Sequence, residues 1–437
     1  MTFVLISPGT GTFYCGSCIR DDGLARAIRR AGRDVLVVPL YLPIVTDAPH
    51  AAERAPIRFG GINVYLQQKS ALFRHTPAWL DRLLDAGPLL RAAAHRAGMT
   101  NAHDLGALTV SMLRGEDGNQ RKELDKLLAF LASRRPKPTI VCLSNALLVG
   151  LVHRLREALD VPVVLTLQGE DAFLDSLPEP HRSAAWAEVS RRTQEADGLV
   201  AVSRYYGETM QRRLGFDAAK LRVVHNGIDL EGFRPADADP DPPVVGYLAR
   251  MCEAKGLGTL AEAFIELKRR PGMSRARLSV AGSVAPGDEP YAAEIERRLH
   301  HAGLGADVSF RPNLSLAEKQ AFLRSLSVFC VPAMYGESFG LYLLEAWASG
   351  VPVVQPRVAS FPELLADTGG GLLTETGEPA ELAESLASIL TNPAERRRLG
   401  RLGREAVLSR FGVDRMAHGI LSLVDELDRR DRPPRDA

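Results

Sequence analysis

The sequence predicts an α/β chain of two doubly wound domains in tandem, closed by C-terminal helices. Three observations carry that reading. The chain opens with a strand, loop, helix, strand unit. A run made only of Pro, Asp and Ala, residues 235–243, interrupts the middle. After it, short apolar runs alternating with helical patterns start again.

In the first half, Phe3-Val4-Leu5-Ile6 is a buried-strand run ended by Ser7-Pro8-Gly9. Beyond a Gly-rich loop, Leu24, Ala27, Ile28 and Ala31 recur at helical spacing and Gly32 supplies the stop. Val35 to Leu40 is the second strand, and further strands are expected at 139–143, 161–167 and 199–202. Each is nearly all apolar, as parallel strands covered on both faces are. Residues 67–135 read as a helical insertion. The pattern breaks after Asn226-Gly227-Ile228-Asp229. In the second half, strands are expected at 244–248, 278–281, 308–310, 328–331 and 351–354, interleaved with helices. One helix starts at Ser315 with Glu318 three residues on, a capping box. From Pro379 onward the chain reads as helix only. The domains expected are 1–234, with the insertion, and 243–412. Residues 413–437 form a closing helix and tail that cross back to the first domain.

A chain of 437 residues is too long for one ordinary core. With 54 basic and 53 acidic residues the formal charge is +1, which excludes a protein that holds nucleic acid through its overall field. No apolar run approaches the roughly 18 residues that span a bilayer. Met1 to Ile6 runs straight into a Pro-Gly turn without a basic region or a cleavage site, so no signal peptide is expected. Five cysteines in a chain of this size make no disulfide framework. A reduced, cytoplasmic protein is the reading. Trp79, Leu80, Leu83 and Leu84, with Arg82, Arg91 and Arg96, leave room for peripheral contact at the inner membrane face, though helices buried in the insertion explain the same pattern.

The most informative stretch runs from Glu337 to Val354. Gly340 ends a loop after a strand and leads into a short helix from Leu341, which Gly350 terminates. A helix N-terminus at the carboxyl end of a strand offers free N–H groups and positive dipole to an anion, and Gly340 lets a phosphate approach the backbone. Glu345 sits among Leu343, Leu344, Ala346 and Trp347, where a carboxylate must face a polar ligand or find a partner. The plainer reading is a helix-surface Glu favoured by the dipole. Arg250 and Lys255 follow the first strand of the second domain, where a doubly wound sheet binds ligands. Two cations there suit a diphosphate, Arg bidentately and Lys as a point charge. Solvated loop cations are the alternative. No cluster of His, Asp or Cys has convincing metal spacing.

Together these segments resemble the GT-B glycosyltransferases of the large retaining family with a Glu-x7-Glu signature, the family 4 or group 1 type. Glu337 and Glu345 have that spacing, Arg250 with Lys255-Gly256 resembles its donor-phosphate motif, and Asn226-Gly227-Ile228-Asp229 with Phe233 and Pro235 resembles its hinge. The resemblance implies two Rossmann-like domains facing across a cleft that holds the active site. It implies transfer of a hexose from a nucleotide-diphosphate sugar, with retention and without metal or cofactor. UDP-glucose, another UDP-hexose and a GDP-sugar all fit; a UDP-sugar is the reading adopted. Arg250 and Lys255 would then bind the diphosphate, with Glu337 completing the catalytic set. Glu345 would hold the ribose, Glu337 with Ser338, Phe339, Gly340 and Leu341 the donor sugar, and Phe310-Arg311 the base. Gly16, in the N-terminal Gly-rich loop, matches the glycine that lies against the donor phosphates.

The first domain departs from the family pattern. Ser144-Asn145 and Thr166-Leu167-Gln168 stand where histidines are usual, so Asn145, Gln168, Glu170 and Asp171 become the acceptor-side candidates. Glu170-Asp171 reads equally as an acidic helix start. Ala359-Ser360-Phe361-Pro362-Glu363 has lost the glycines of the corresponding family loop. Cys15 and Cys18 form a Cys-x-x-Cys that suits a redox dithiol or half a metal site. Cys142, Cys252 and Cys330 are single and read as buried, and a glycine loop separates the pair from the preceding strand. Small residues packed beside the loop are the preferred explanation. The partners expected are a nucleotide-sugar donor and a sugar, lipid or small-molecule acceptor. The alternatives are a phosphorylase or nucleotide-sugar epimerase on the same fold, or a non-catalytic nucleotide-sugar-binding or redox module.

Overall fold

The computed structural model describes residues 2–9, 16–41, 53–54, 57–76, 102–285 and 287–431. The chain divides into two compact units, Met1–His225 with Asp414–Ala437, and Asn226–Val413. Both are α/β with wholly parallel sheets among the described residues, the two Rossmann-like domains of the predicted fold class.

Unit 1 contains β1 (Thr2–Pro8), β2 (Asp34–Tyr41), β3 (Glu53–Arg54), β4 (Arg58–Gly60), β5 (Pro138–Leu143), β6 (Val163–Leu167), β7 (Gly198–Ala201) and β8 (Leu221–Val223). Their order is β3-β2-β1-β5-β6-β7-β8, with β4 also on β2. The chain builds outward from β1 in one direction and then returns to its other side, so the sheet reverses between β1 and β5. Val4, Leu5 and Ile6 are fully buried because β1 is paired on both edges, Ile6 facing Val38 and Leu143. The insertion expected at 67–135 holds helices Ala102–Leu113 and Arg121–Ser133, with Gly61–Lys69 running into its start; residues 77–101, with Trp79, Arg82 and their neighbours, lie outside the described residues. The closing helix Val413–Asp431 lays Leu423 and Leu427 within 3.4 Å of where a side chain at Gly198 would stand. Ion pairs Arg33–Asp425 at 3.1 Å and Arg222–Glu426 at 2.5 Å fasten it to unit 1.

Unit 2 contains β9 (Val244–Leu248), β10 (Arg277–Gly282), β11 (Val308–Pro312), β12 (Val328–Phe329), β13 (Val353–Pro356) and β14 (Gly371–Thr374), in the order β11-β10-β9-β12-β13-β14. Here the sheet reverses between β9 and β12. The capping box at Ser315 forms as expected, Ser315 Oγ accepting from the Glu318 N–H and the Glu318 carboxylate accepting from the Ser315 N–H. Strand 328–331 is shorter than expected: only Val328 and Phe329 pair as strand, although the Cys330 N–H still donates to Gly246 O at 2.9 Å. The segment after Asn226 joins the end of the same unit, Ile228 exchanging hydrogen bonds with Phe411 O and the Val413 N–H. A side chain at Gly227 would stand 2.5 Å from Gly412 O, so only glycine fits that crossing. No helix among the described residues is long and apolar enough to cross a membrane.

Candidate active site

In unit 2 the carboxyl ends of β9 and β12 flank the point where strand order reverses, the place an open α/β sheet leaves a crevice. The loop after β9 runs through Arg250 to a 3-10 turn, Glu253–Lys255, ended by Gly256 at φ +71°. A side chain at Gly256 would stand 2.1 Å from Pro332 O, which brings the two loops into backbone contact. Lys255 Nζ thereby lies 2.5 Å from Glu337 Oε2, and the Tyr342 hydroxyl donates to the same oxygen at 2.8 Å. Burial pushes the Glu337 carboxyl up, but the Lys255 ammonium and the Tyr342 and Phe339 hydrogen bonds more than reverse it, leaving it below the ordinary value. Glu337 is thus held as a carboxylate against a cation.

Ser338, Phe339 and Gly340 follow. Phe339 is buried, its ring 6.4 Å from that of Phe411. Gly340, at φ +90°, opens the helix Leu341–Ala348, and no atom lies within 3.4 Å of a side chain built there. Ser360 fixes this loop from behind: its Oγ donates to Phe339 O at 3.0 Å and its N–H to Glu337 O at 3.3 Å. The missing family glycines are therefore answered in two ways. Ala359 takes the left-handed conformation itself, at φ +52°, and Ser360 adds a hydrogen bond no glycine supplies.

Glu345, on the same helix, has found a partner: Lys319 Nζ lies 2.5 Å from its carboxylate. The Lys319 side chain is 7% exposed and that of Glu345 15%, with the ammonium 6.0 Å from the Phe233 ring centroid. Arg250 is held bidentately by Asp288, at 2.5 and 3.0 Å. Phe310 and Arg311 lie on β11, two strands out from β9, with Arg311 exposed. Lys255 and Glu337 thus meet beside the β9–β12 reversal, with Ser338, Phe339, Gly340 and Leu341 following Glu337 directly; Arg250 sits on the loop after β9 against Asp288, Glu345 on the helix against Lys319, and Phe310 and Arg311 on β11, two strands out.

Sequence reasoning missed Asp288, Lys319, Tyr342 and Ser360. Lys319 left a signal: it occupies a core-facing position three residues after Leu316 and three before Phe322. Asp288, in a Gly-Asp loop, left none.

In unit 1, Gly16 is the exposed first residue of the helix Gly16–Arg30, and residues 10–15, including Cys15, lie outside the described residues. Behind Gly16 a buried ionic cluster marks the β1–β5 reversal. The Ser7 hydroxyl donates to Asp21 at 2.5 Å and the Arg20 guanidinium at 2.8 Å. Burial raises the Asp21 carboxyl above its ordinary range, while Arg20, Ser7 and Ser144 pull the other way. Cys18 is buried, its thiol directed at Pro8 O at 3.3 Å, and burial pushes the Cys142 thiol up to about 11. Cys252, expected to be buried, is half-exposed because it starts the Glu253–Lys255 turn.

Glu170 is a buried fastening. Its carboxylate accepts from the N–H groups of Ala146, Gln168 and Gly169 at 2.8–3.0 Å and from the Tyr206 hydroxyl at 3.0 Å. Asp171, which also meets Tyr206 at 3.0 Å, opens the helix Asp171–Ser176 and is partly exposed. Asn145 caps the turn Ala146–Leu151 through the Leu147 N–H at 3.0 Å, and the Gln168 amide donates to Ser144 O.

The family model described as "Glycosyl transferases group 1" matches residues 231–406, and that described as "Glycosyltransferase Family 4" matches residues 118–231. The D-inositol 3-phosphate glycosyltransferase of Segniliparus rotundus is 30% identical over 284 residues, 63% of this chain and 60% of that protein. The chain thus spans about 60% of the length of that relative. The protein of the same name from a Nocardioides species is 30% identical over 440 residues, 90% of each chain. Among solved structures, sucrose-phosphate synthase of Thermosynechococcus elongatus superposes with a TM-score of 0.73 at 20% identity, over 98% of this chain and 100% of that one. Anabaena HepE, in complex with UDP and glucose, gives 0.69 at 15% identity over 97% and 99%. At these identities the solved structures speak to fold alone.

Proposed function

The chain belongs to the group 1 glycosyl transferases, and from that premise we propose that it moves a hexose from a UDP-sugar to an acceptor hydroxyl with retention and without a metal. The observation that carries this reading is the Lys255–Glu337 pair at 2.5 Å, set beside the Gly340 helix start where the strand order of unit 2 reverses.

In this account Arg250 and Lys255 grip the diphosphate. Both are already ordered by carboxylates, Asp288 and Glu337, so little reorganisation is needed as the donor's phosphates take their place beside the cations. Cleavage of the anomeric C–O bond leaves its electron pair on the departing phosphate oxygen. The fixed cations and the Gly340–Leu341 N–H groups stabilise that developing charge. The same oxygen takes the proton of the acceptor hydroxyl, which bonds to the anomeric carbon on the face being vacated. Glu345 receives the ribose hydroxyls, with Lys319 fixing its carboxylate, and Phe310 and Arg311 meet the base. The acceptor is assigned to unit 1, to Asn145, Gln168 and Asp171. Glu170 acts there through position, since its oxygens already accept four hydrogen-bond donors. The relatives named for D-inositol 3-phosphate make that polyol phosphate the first acceptor to assay.

The test is a transfer assay with UDP-hexoses and this acceptor in the presence of EDTA, with the anomeric configuration of product and donor compared by NMR. Glycosylated acceptor of unchanged configuration is expected. An inverted product, or donor turnover without any glycoside, overturns the proposal.

A further inference from the structure

The opposite edge of the unit 2 sheet carries a second charged cavity. Ser327 and Pro352, which lead into β12 and β13, line it, so it opens at the amino ends of the strands, away from Lys255 and Glu337. Its volume is about 420 Å³, in the range of small-ligand sites. Five arginines, Arg324, Arg396, Arg397, Arg401 and Arg404, line it, against two aspartates, Asp237 and Asp239.

The five arginines are not equivalent. Arg404 is pinned by the carbonyls of Ala348 and Phe233, and the largely buried Arg396 reaches Asp239 at 2.9 Å. They form a fixed floor. Arg397 shares the same Asp239 oxygen at 2.6 Å, so one carboxylate answers two guanidinia. Among the described residues, Arg401 has one loose ion pair, to Glu405 at 3.9 Å, and Arg324 makes no hydrogen bond or ion pair. Arg324 and Arg401 thus line the same cavity as the tied arginines with only one loose counter-charge between them. Like charges gathered in a concave wall reinforce one another's potential and repel until an anion enters.

We propose that this cavity binds a small molecule bearing more than one phosphate, with Arg324 and Arg401 supplying the contacts and Arg396 and Arg404 the preorganised floor. Guanidinium is suited to phosphate through paired N–H donors. A concave wall carrying Asp237 and Asp239 suits a discrete anion better than a flat anionic membrane. The inference stands independently of the reaction assigned to the other edge.

The test is calorimetric titration of inorganic tripolyphosphate into the full chain at low salt. Arg401 is exposed and Arg324 half-exposed, and neither makes a close ion pair, so Arg324→Ala/Arg401→Ala and Arg324→Glu/Arg401→Glu are expected to fold. Wild type and Lys255→Ala should share a binding event that weakens about tenfold in the alanine pair, disappears in the glutamate pair, and fades as salt is raised. If both pairs bind as wild type does, or if Lys255→Ala alone abolishes all binding, the site does not exist. Co-sedimentation with phosphatidylglycerol vesicles that depends on these arginines, without tripolyphosphate binding, would make the surface a membrane contact and overturn the small-molecule assignment.

Discussion

Glu345 is the partner of Lys319 and, in the proposed reaction, the ribose contact, and a pair of substitutions separates the two. If Glu345 were only a helix-surface glutamate, its replacement by alanine would leave the fold untouched. The structure says otherwise: Glu345→Ala removes the carboxylate 2.5 Å from Lys319, whose side chain is only 7% exposed. Breaking a buried pair from one side costs about 3–5 kcal/mol. The partial exposure of Glu345 and the other partners of Lys319 admit some compensation, so about 2–3 kcal/mol is the working figure. For a unit of this size that lowers the melting temperature by roughly 5–10 °C. Lys319→Met in the Glu345→Ala background removes the stranded ammonium and fills its space, and should restore about 2 kcal/mol. It should not restore sugar transfer if Glu345 holds the ribose. Scanning calorimetry and a donor titration on wild type, both single variants and the double variant form a complete cycle. An unshifted melting temperature for Glu345→Ala, or a double variant that recovers activity with stability, refutes the reasoning.

Other outcomes follow from the same geometry. Ala359→Gly relieves a left-handed alanine at φ +52° and should be neutral or stabilising by up to about 1 kcal/mol, read from the urea midpoint. Gly282→Ala should fail to give soluble protein, because its side chain would stand 1.7 Å from Ala249 O. Glu170→Gln replaces one acceptor oxygen with a donor against the Ala146, Gln168 and Gly169 N–H groups, which should cost about 1–3 kcal/mol in denaturant unfolding. The Glu337 carboxyl is depressed from 4.5, so its contribution is complete above that value and is lost as pH falls through the lower folded value. Lys255→Met removes the depression, so that variant should be less stable than wild type at neutral pH and lose less stability on acidification, read from urea midpoints across the acid range.

The fold was legible because its strands announce themselves: β1, β5 and β9 are nearly continuous apolar runs, buried along all but one residue each. What stayed hidden was short or glycine-bound. β8 has three residues and β14 begins directly after Gly369 and Gly370, too little for a period to show. The residues proposed for the donor were legible because a shared spacing ties Glu337 to Glu345 and Arg250 to Lys255. Their partners come from other segments, Asp288 from a loop and Lys319 from a helix 26 residues away, and only the sheet order brings them in. In unit 1, Glu170 reads on sequence as a ligand or a helix start. The structure shows a third role, a clamp on three backbone N–H groups, which no local pattern encodes.

The central claim is that Lys255 and Arg250, at the carboxyl edge of unit 2, grip a nucleotide's diphosphate. Calorimetric titration of UDP into wild type and Lys255→Ala, both in EDTA, tests it most directly. The account predicts metal-free binding that weakens at least about tenfold when the ammonium is removed. Equal affinity in the two proteins would contradict it.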